Sequence, residues 1–284
     1  MKPTKIFFLI VTVLLARAVF AEVPPPRWAM LDGNAIHYYD IGDTKQKKAL
    51  VFVHGWTCDA EFWKESYRAF PQYRVIVVDL PGHGLSDKPR LDYTMDHFAR
   101  AVNRVLETAG VESAVLVGHS MGTPVIRQFY RRYQGKTLAL VIVDGVVEPY
   151  LTKEAFEKFF APIRADYVKN APNFIDGMLA PVKDAELRKW IRSRMLLTPE
   201  HVALSAMDGM GEMSIWEKDK INVPVMTWLA RSPAMGDAVE EKYRAVAPDL
   251  EFHIWDGVSH FLMIEQPALF NGQLKGFVMR RKLL

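Results

Sequence analysis

Short, continuous apolar runs rich in β-branched residues recur along the chain and restrict its fold more than any other feature. Ala49-Leu50-Val51-Phe52-Val53, Arg74-Val75-Ile76-Val77-Val78, Ala114-Val115-Leu116-Val117 and Leu140-Val141-Ile142-Val143 show no polar alternation. Such runs are expected of strands buried on both faces. Between them lie amphipathic stretches such as Met95 to Ala109, with Phe98, Val102, Val105 and Leu106 on one helical face. Strand–helix alternation of this kind predicts an α/β fold, a mostly parallel sheet covered by helices. Two strand-like runs flank Asp32-Gly33-Asn34, a turn signal that predicts an antiparallel hairpin ahead of the alternation. From Val147 to Ile221 no β-branched run occurs, and helical segments follow one another with Pro162, Pro172, Pro181 and Pro199 as punctuation. Strand patterns resume at Pro224 to Leu229 and at Leu250 to Trp255. The expected organisation is a core built from residues 22–146 and 222–284, with residues 147–221 inserted as a helical cap. Such a cap would lie over the carboxyl edge of the sheet, where open α/β sheets bind ligands.

The first residues follow other rules. Lys2 and Lys5 precede an apolar run from Ile6 to Leu15, and Val19-Phe20-Ala21 places small residues where a signal peptidase reads. The run falls short of the roughly 20 residues a spanning helix needs. Residues 1–21 are therefore expected to be a cleaved export signal, placing the protein in the periplasm or outside the cell rather than anchored in a membrane. That segment carries Lys2, Lys5 and Arg17 and no acid, so 33 basic face 33 acidic residues in the remainder. A balanced mature chain gives no reason to expect nucleic acid or an anionic surface as partner. Cys58 is the single cysteine, so an internal disulfide is impossible.

Chemistry concentrates at strand ends. Gly118-His119-Ser120-Met121-Gly122 follows a strand and precedes a helix. In a G-x-S-x-G turn the serine sits on a bend so tight that its neighbours two away must lack bulk, which lifts the hydroxyl clear of the sheet. A serine hydroxyl needs a base to take its proton. Gly257-Val258-Ser259-His260-Phe261 follows the last strand; of the eight histidines, only His260 sits downstream of the nucleophile in a small-residue loop after a sheet strand. His54-Gly55-Trp56 closes the Ala49 to Val53 strand, where the Trp56 amide, paired with that of Met121, could face an oxygen gaining charge. Losing one such donor costs on the order of 3 kcal/mol. His54 is expected to shape that turn, and His83, in Asp79 to Ser86, is assigned no chemistry. No Cys/His set has zinc spacing, and Gly209-Met210-Gly211 lacks the strand and third glycine of a dinucleotide loop, so neither metal nor cofactor is expected. Arg131-Arg132 and Arg280-Arg281-Lys282 read as solvated helix surface, and Met207, Met210, Met213 and Trp216 as helical packing that could also line an apolar pocket.

The segments Val53 to Trp56, Asp79 to Ser86, Gly118 to Gly122 and Gly257 to Phe261 resemble the α/β-hydrolase superfamily, in spacing its lid-bearing esterase, perhydrolase and carbon–carbon hydrolase branch. The resemblance runs from about Ala35 to the C-terminus. It implies Ser120 as nucleophile, His260 as general base, and the Trp56 and Met121 amides as the oxyanion hole. One position departs from the family. Most members carry the third triad residue, an Asp, shortly after the seventh strand, where this chain has Ser232, with Asp237 five residues on. Some branches place the acid after the sixth strand, where this chain reads Val143-Asp144-Gly145. Asp144 is the preferred acid, with Asp237 the alternative. The implied activity is cleavage of a small or medium, fairly apolar carboxylic ester through an acyl-enzyme. Acyl transfer, perhydrolysis or carbon–carbon hydrolysis would use the same residues, and a ligand receptor on a hydrolase body is the non-enzymatic alternative.

Overall fold

A computed structural model describes residues 24–149, 151–232, 235–236 and 238–284. The expected export signal and Asp237 lie outside the described residues. The eight strands are β1 (Pro26–Leu31), β2 (Asn34–Ile41), β3 (Lys48–Val53), β4 (Val75–Val78), β5 (Ser113–His119), β6 (Thr137–Val143), β7 (Val225–Ala230) and β8 (Leu250–Trp255). They form one sheet in the order β1-β2-β4-β3-β5-β6-β7-β8. β2 pairs antiparallel with β1 and β4, and every other neighbouring pair is parallel. The β1–β2 hairpin turns on Asp32 and Gly33, both with positive φ, as a two-residue turn matched to strand twist requires.

The helices are α1 (Lys64–Tyr67), α2 (Met95–Ala109), α3 (Gly122–Arg132), α4 (Lys153–Ala165), α5 (Tyr167–Leu179), α6 (Ala185–Met195), α7 (Glu200–Gly211), α8 (Val239–Val246), α9 (Leu262–Glu265) and α10 (Pro267–Arg280). Sequence features account for their limits. Thr94 caps α2 by accepting from the His97 amide, and Gly110 ends it in the left-handed conformation. The face of α2 bearing Phe98, Val102, Val105 and Leu106 is fully buried. Strands β3, β4, β5 and β6 are buried almost throughout, which is why their sequences lack alternation.

Helices α4 to α7 lie between β6 and β7, the one long interruption of the sheet. Two of the prolines read as punctuation are taken inside helices, Pro162 in α4 and Pro172 in α5. Each removes one backbone bond from its helix. Pro162 lies in the last turn of α4, and its carbonyl accepts from the Asn170 side chain. Pro199 stands at the start of α7, where its missing N–H costs nothing.

Arg131 also departs from the sequence reading. Rather than being solvated surface, it donates to the Asp219 carboxylate and to the Ile215 and Glu217 carbonyls, while the buried Arg127 donates to the Val147 carbonyl. Together they clamp both ends of the inserted helices to α3.

One buried ion pair secures the other half of the sheet. Arg74 makes a bidentate contact with Asp40 at 2.9 and 2.8 Å, and its remaining donors reach the Gln46 and Ala109 carbonyls. Both side chains are almost wholly excluded from solvent. Removing one partner of such a pair strands a buried charge at a cost of about 3–5 kcal/mol. Asp40→Ala is expected to lose that much stability in urea denaturation, and a loss below about 1 kcal/mol would show that Arg74 reaches water instead.

Candidate active site

Ser120 sits between β5 and α3 with φ of 53°, a left-handed conformation that a side-chain-bearing residue adopts only where its surroundings enforce it. The enforcement is steric. A Cβ on Gly118 would collide with the Gly122 carbonyl, and one on Gly122 would lie 2.5 Å from the Val53 carbonyl oxygen. The Ser120 amide donates to the Val143 carbonyl at 3.0 Å and its carbonyl accepts from the Thr123 amide at 2.9 Å, fixing the elbow to β6 and to the first turn of α3.

Asp144 continues directly from β6, also with positive φ (43°). Its amide donates to the Trp228 carbonyl in β7 at 2.8 Å, and its Oδ1 accepts from the Ala230 amide at 2.7 Å. The carboxylate is thereby aimed by the end of β7. Its Oδ2 lies 2.6 Å from His260 Nδ1. His260 comes from the loop after β8, which turns at Gly257 (φ 71°). That loop closes on itself: the Ser259 amide donates to Glu265 at 2.7 Å, and Phe261 is buried against Phe62 and His119. With Nδ1 engaged by a carboxylate, Nε2 is the nitrogen left to exchange a proton.

Gly55, Trp56, Cys58, His119, Ser120, Met178, Met195, His260 and Phe261 line one cavity of about 20 Å³. Residues from β3's exit loop, the elbow, the base loop and the inserted helices α5 and α6 thus meet at one point. The loop bearing Trp56 lies directly against the elbow, because a Cβ on Gly55 would be 3.1 Å from Ser120 Cβ. The Trp56 indole donates to the Ala203 carbonyl of α7 at 2.8 Å, and the Met121 side chain is buried beneath the elbow.

His54 and His83, near this cavity, are structural. His54 Nε2 accepts from the Leu80 amide at 3.0 Å while Nδ1 faces the Gly55 carbonyl at 2.8 Å, an arrangement only the neutral Nδ1–H tautomer satisfies. Burial lowers its pKa accordingly. His83 is likewise buried, and burial with the nearby His54 pushes its pKa down to about 3. Cys58 lines the cavity as a protonated thiol, since burial raises its pKa well above the ordinary value. It is no rival nucleophile.

A larger cavity of about 350 Å³, lined by Asp59, Asp79, Lys88, Arg194 and Leu197 among others, does not include Ser120. Its carboxylates are already engaged. Burial, with Asp79 nearby, raises Asp59 to about 6, and Asp59 is paired with Arg194 at 2.6 Å. Asp79 accepts from His37 and from the Ala60 and Leu85 amides, which outweigh its burial and lower its pKa. Among the described residues, no group of three or more His, Cys, Asp or Glu could hold a metal ion, and no helix is long and apolar enough to cross a membrane.

Several features have no signature in the sequence. The place of Phe159, Phe160 and Met178 in the insertion makes them the expected walls of an acyl pocket. Met178 does line the cavity, Phe159 and Phe160 pack instead with Phe156 and Phe174, and Met195 carries nothing in the sequence that would bring it to Ser120. Cys58 also lines the cavity, and its place two residues beyond Trp56 is the one signal that could have found it.

A family model for the alpha/beta hydrolase fold matches residues 48–183. A bromoperoxidase structure from Bacillus anthracis superposes with a TM-score of 0.78 over 90% of this chain and 100% of that one, at 21% identity. The chain belongs to the α/β-hydrolase superfamily. Within that superfamily it is 26% identical over 277 residues to a non-heme chloroperoxidase of Streptomyces lividans, spanning 87% of this chain and 97% of the relative. It is 33% identical over 124 residues to a bifunctional esterase/perhydrolase of Acinetobacter calcoaceticus, spanning 43% and 45%. These similarities support an enzyme of the α/β-hydrolase class.

Proposed function

We propose that this α/β hydrolase cleaves short-chain carboxylic esters through an acyl-enzyme formed on Ser120, with His260 as general base and Asp144 as the acid. The observation that carries the reading is the Asp144–His260 hydrogen bond of 2.6 Å beside an elbow serine that lines the same cavity as the imidazole. Ser120 Oγ attacks the ester carbonyl as His260 Nε2 takes its proton. The carbonyl oxygen becomes an oxyanion held by the Trp56 and Met121 amides. As the C–O bond breaks, the imidazolium returns the proton to the departing alcohol. Water then attacks the acyl-enzyme by the same route, releasing the acid and restoring Ser120. Asp144, oriented by the Ala230 amide, fixes the Nδ1–H tautomer and stabilises the imidazolium.

A cavity of about 20 Å³ holds little more than a water-sized group, which supports an acetyl or similarly short acyl chain. Met178 and Met195 form the adaptable part of its wall. On this reading α4 to α7 act as a cap that sets the acyl limit from above. The same acyl-enzyme could be intercepted by hydrogen peroxide, the reading favoured by the esterase/perhydrolase relative.

The test is a series of p-nitrophenyl esters from acetate to octanoate. Acetate should be turned over best. Met195→Ala and Met178→Ala should each raise the butyrate-to-acetate ratio of kcat/KM by about tenfold. Phe159→Ala should leave that ratio unchanged, since Phe159 lies more than half exposed outside the cavity. A ratio that responds to Phe159 and ignores both methionines would place the acyl group elsewhere.

A further inference from the structure

His119 fills the open position of the Gly118-His119-Ser120-Met121-Gly122 turn, and nothing in the hydrolytic steps above uses it. It is almost wholly buried, and its Nε2 lies 2.8 Å from the backbone carbonyl of His260. A carbonyl only accepts, so Nε2 carries the proton. Burial, reinforced by the neighbouring His260, holds its pKa well below the ordinary histidine value, and the ring is neutral with Nδ1 bare. Nδ1 has no hydrogen-bond partner. It faces the backbone of Gly55, where a Cβ would come within 2.9 Å. The His119 and His260 rings lie 4.6 Å apart, and Phe261 closes over His119 at 5.4 Å.

The His260 loop is otherwise tied through Ser259 to Glu265, through Asp256 to Arg231, and through the imidazole to Asp144. The hydrogen bond from His119 is the polar link between that loop and the residue covalently next to Ser120. We propose that His119 is a positioning residue: its Nε2–H holds the backbone of the base in register with the nucleophile, so that the imidazole stays aligned on Ser120 Oγ through the catalytic cycle. This role rests on the Ser120–His260 reading. A packing residue would need only the ring's shape, whereas a positioning residue needs the donor.

Two variants separate these. His119→Phe keeps a planar ring and removes the N–H, and His119→Gln places an amide N–H near the position of Nε2. The readouts are kcat and KM for p-nitrophenyl acetate, the rate at which a fluorophosphonate labels Ser120, and the thermal unfolding midpoint. His119→Phe should lower kcat and the labelling rate together by about 100-fold, as expected for a small displacement of reacting groups, with KM unchanged. His119→Gln should recover most of both rates. Should the Phe variant fail to fold, His119→Asn, whose donor is one methylene too short, should fall well below His119→Gln. Wild-type kcat in His119→Phe would overturn the proposal, as would equal loss in the Gln variant and in the Phe or Asn variant. Absence of labelling in the wild-type chain would instead remove the serine-hydrolase reading, and the positioning role with it.

Discussion

Ser120→Ala is expected to lower ester turnover by about 10⁶-fold while leaving the protein folded. The substitution removes only Oγ. The bonds that set the elbow, from the Ser120 amide to Val143 and from Thr123 to the Ser120 carbonyl, are backbone bonds and persist. Alanine meets the positive φ with about the same strain as serine, so the unfolding midpoint should hardly move. KM should change little, because the pocket walls contributed by Trp56, Met178, Met195 and Phe261 are untouched. A variant that kept wild-type turnover would require another nucleophile. The buried, protonated Cys58 is poorly suited to that part.

Asp144→Asn is expected to lose about 10⁴-fold in kcat, the penalty for holding the base in the wrong tautomer. The local geometry says why relaxation cannot rescue it. The Ala230 amide needs an acceptor and already points at Oδ1. An introduced carboxamide must therefore keep its oxygen on Ala230 and turn its NH₂ toward His260 Nδ1. Nδ1 then becomes the acceptor, the imidazole proton moves to Nε2, and no lone pair remains to receive the serine proton. Asp237→Asn should retain near-wild-type turnover. Helix α8 begins at Val239 with Ala238 before it, and no described residue of that segment bonds to His260. The reverse ranking of the two variants would return the acid to the loop after β7, and full activity in both would indicate a Ser–His dyad. Circular dichroism of both proteins guards against loss of fold.

The parts legible in the sequence are those governed by local sterics and periodicity. Buried strands announce themselves because two apolar faces leave no alternation, and α2 because its apolar residues recur at helical spacing. The elbow is legible because only glycine can stand at 118, against the Gly122 backbone, and at 122, against the Val53 backbone. What escaped depends on long-range geometry. The strand-end position already favours Asp144 over Asp237, but its aim at His260 is set by β7 passing beside β6 and presenting the Ala230 amide, a contact spanning 86 residues. Which inserted side chains reach Ser120 is set by how α4, α5 and α6 are rotated about their axes; Met178 of α5 and Met195 of α6 line its cavity, and Phe159 of α4 does not. Arg131 looked like solvated surface because its acceptors, Asp219 and the Ile215 and Glu217 carbonyls, lie more than 80 residues away.

The most direct single measurement is fluorophosphonate labelling of the folded wild-type protein, quantified by intact mass and located by peptide mapping. One adduct per chain is predicted, on the peptide carrying Gly118 to Gly122 and on Ser120 within it. An adduct on any other residue, or none on a protein shown to be folded, would contradict a serine hydrolase centred on Ser120 and His260.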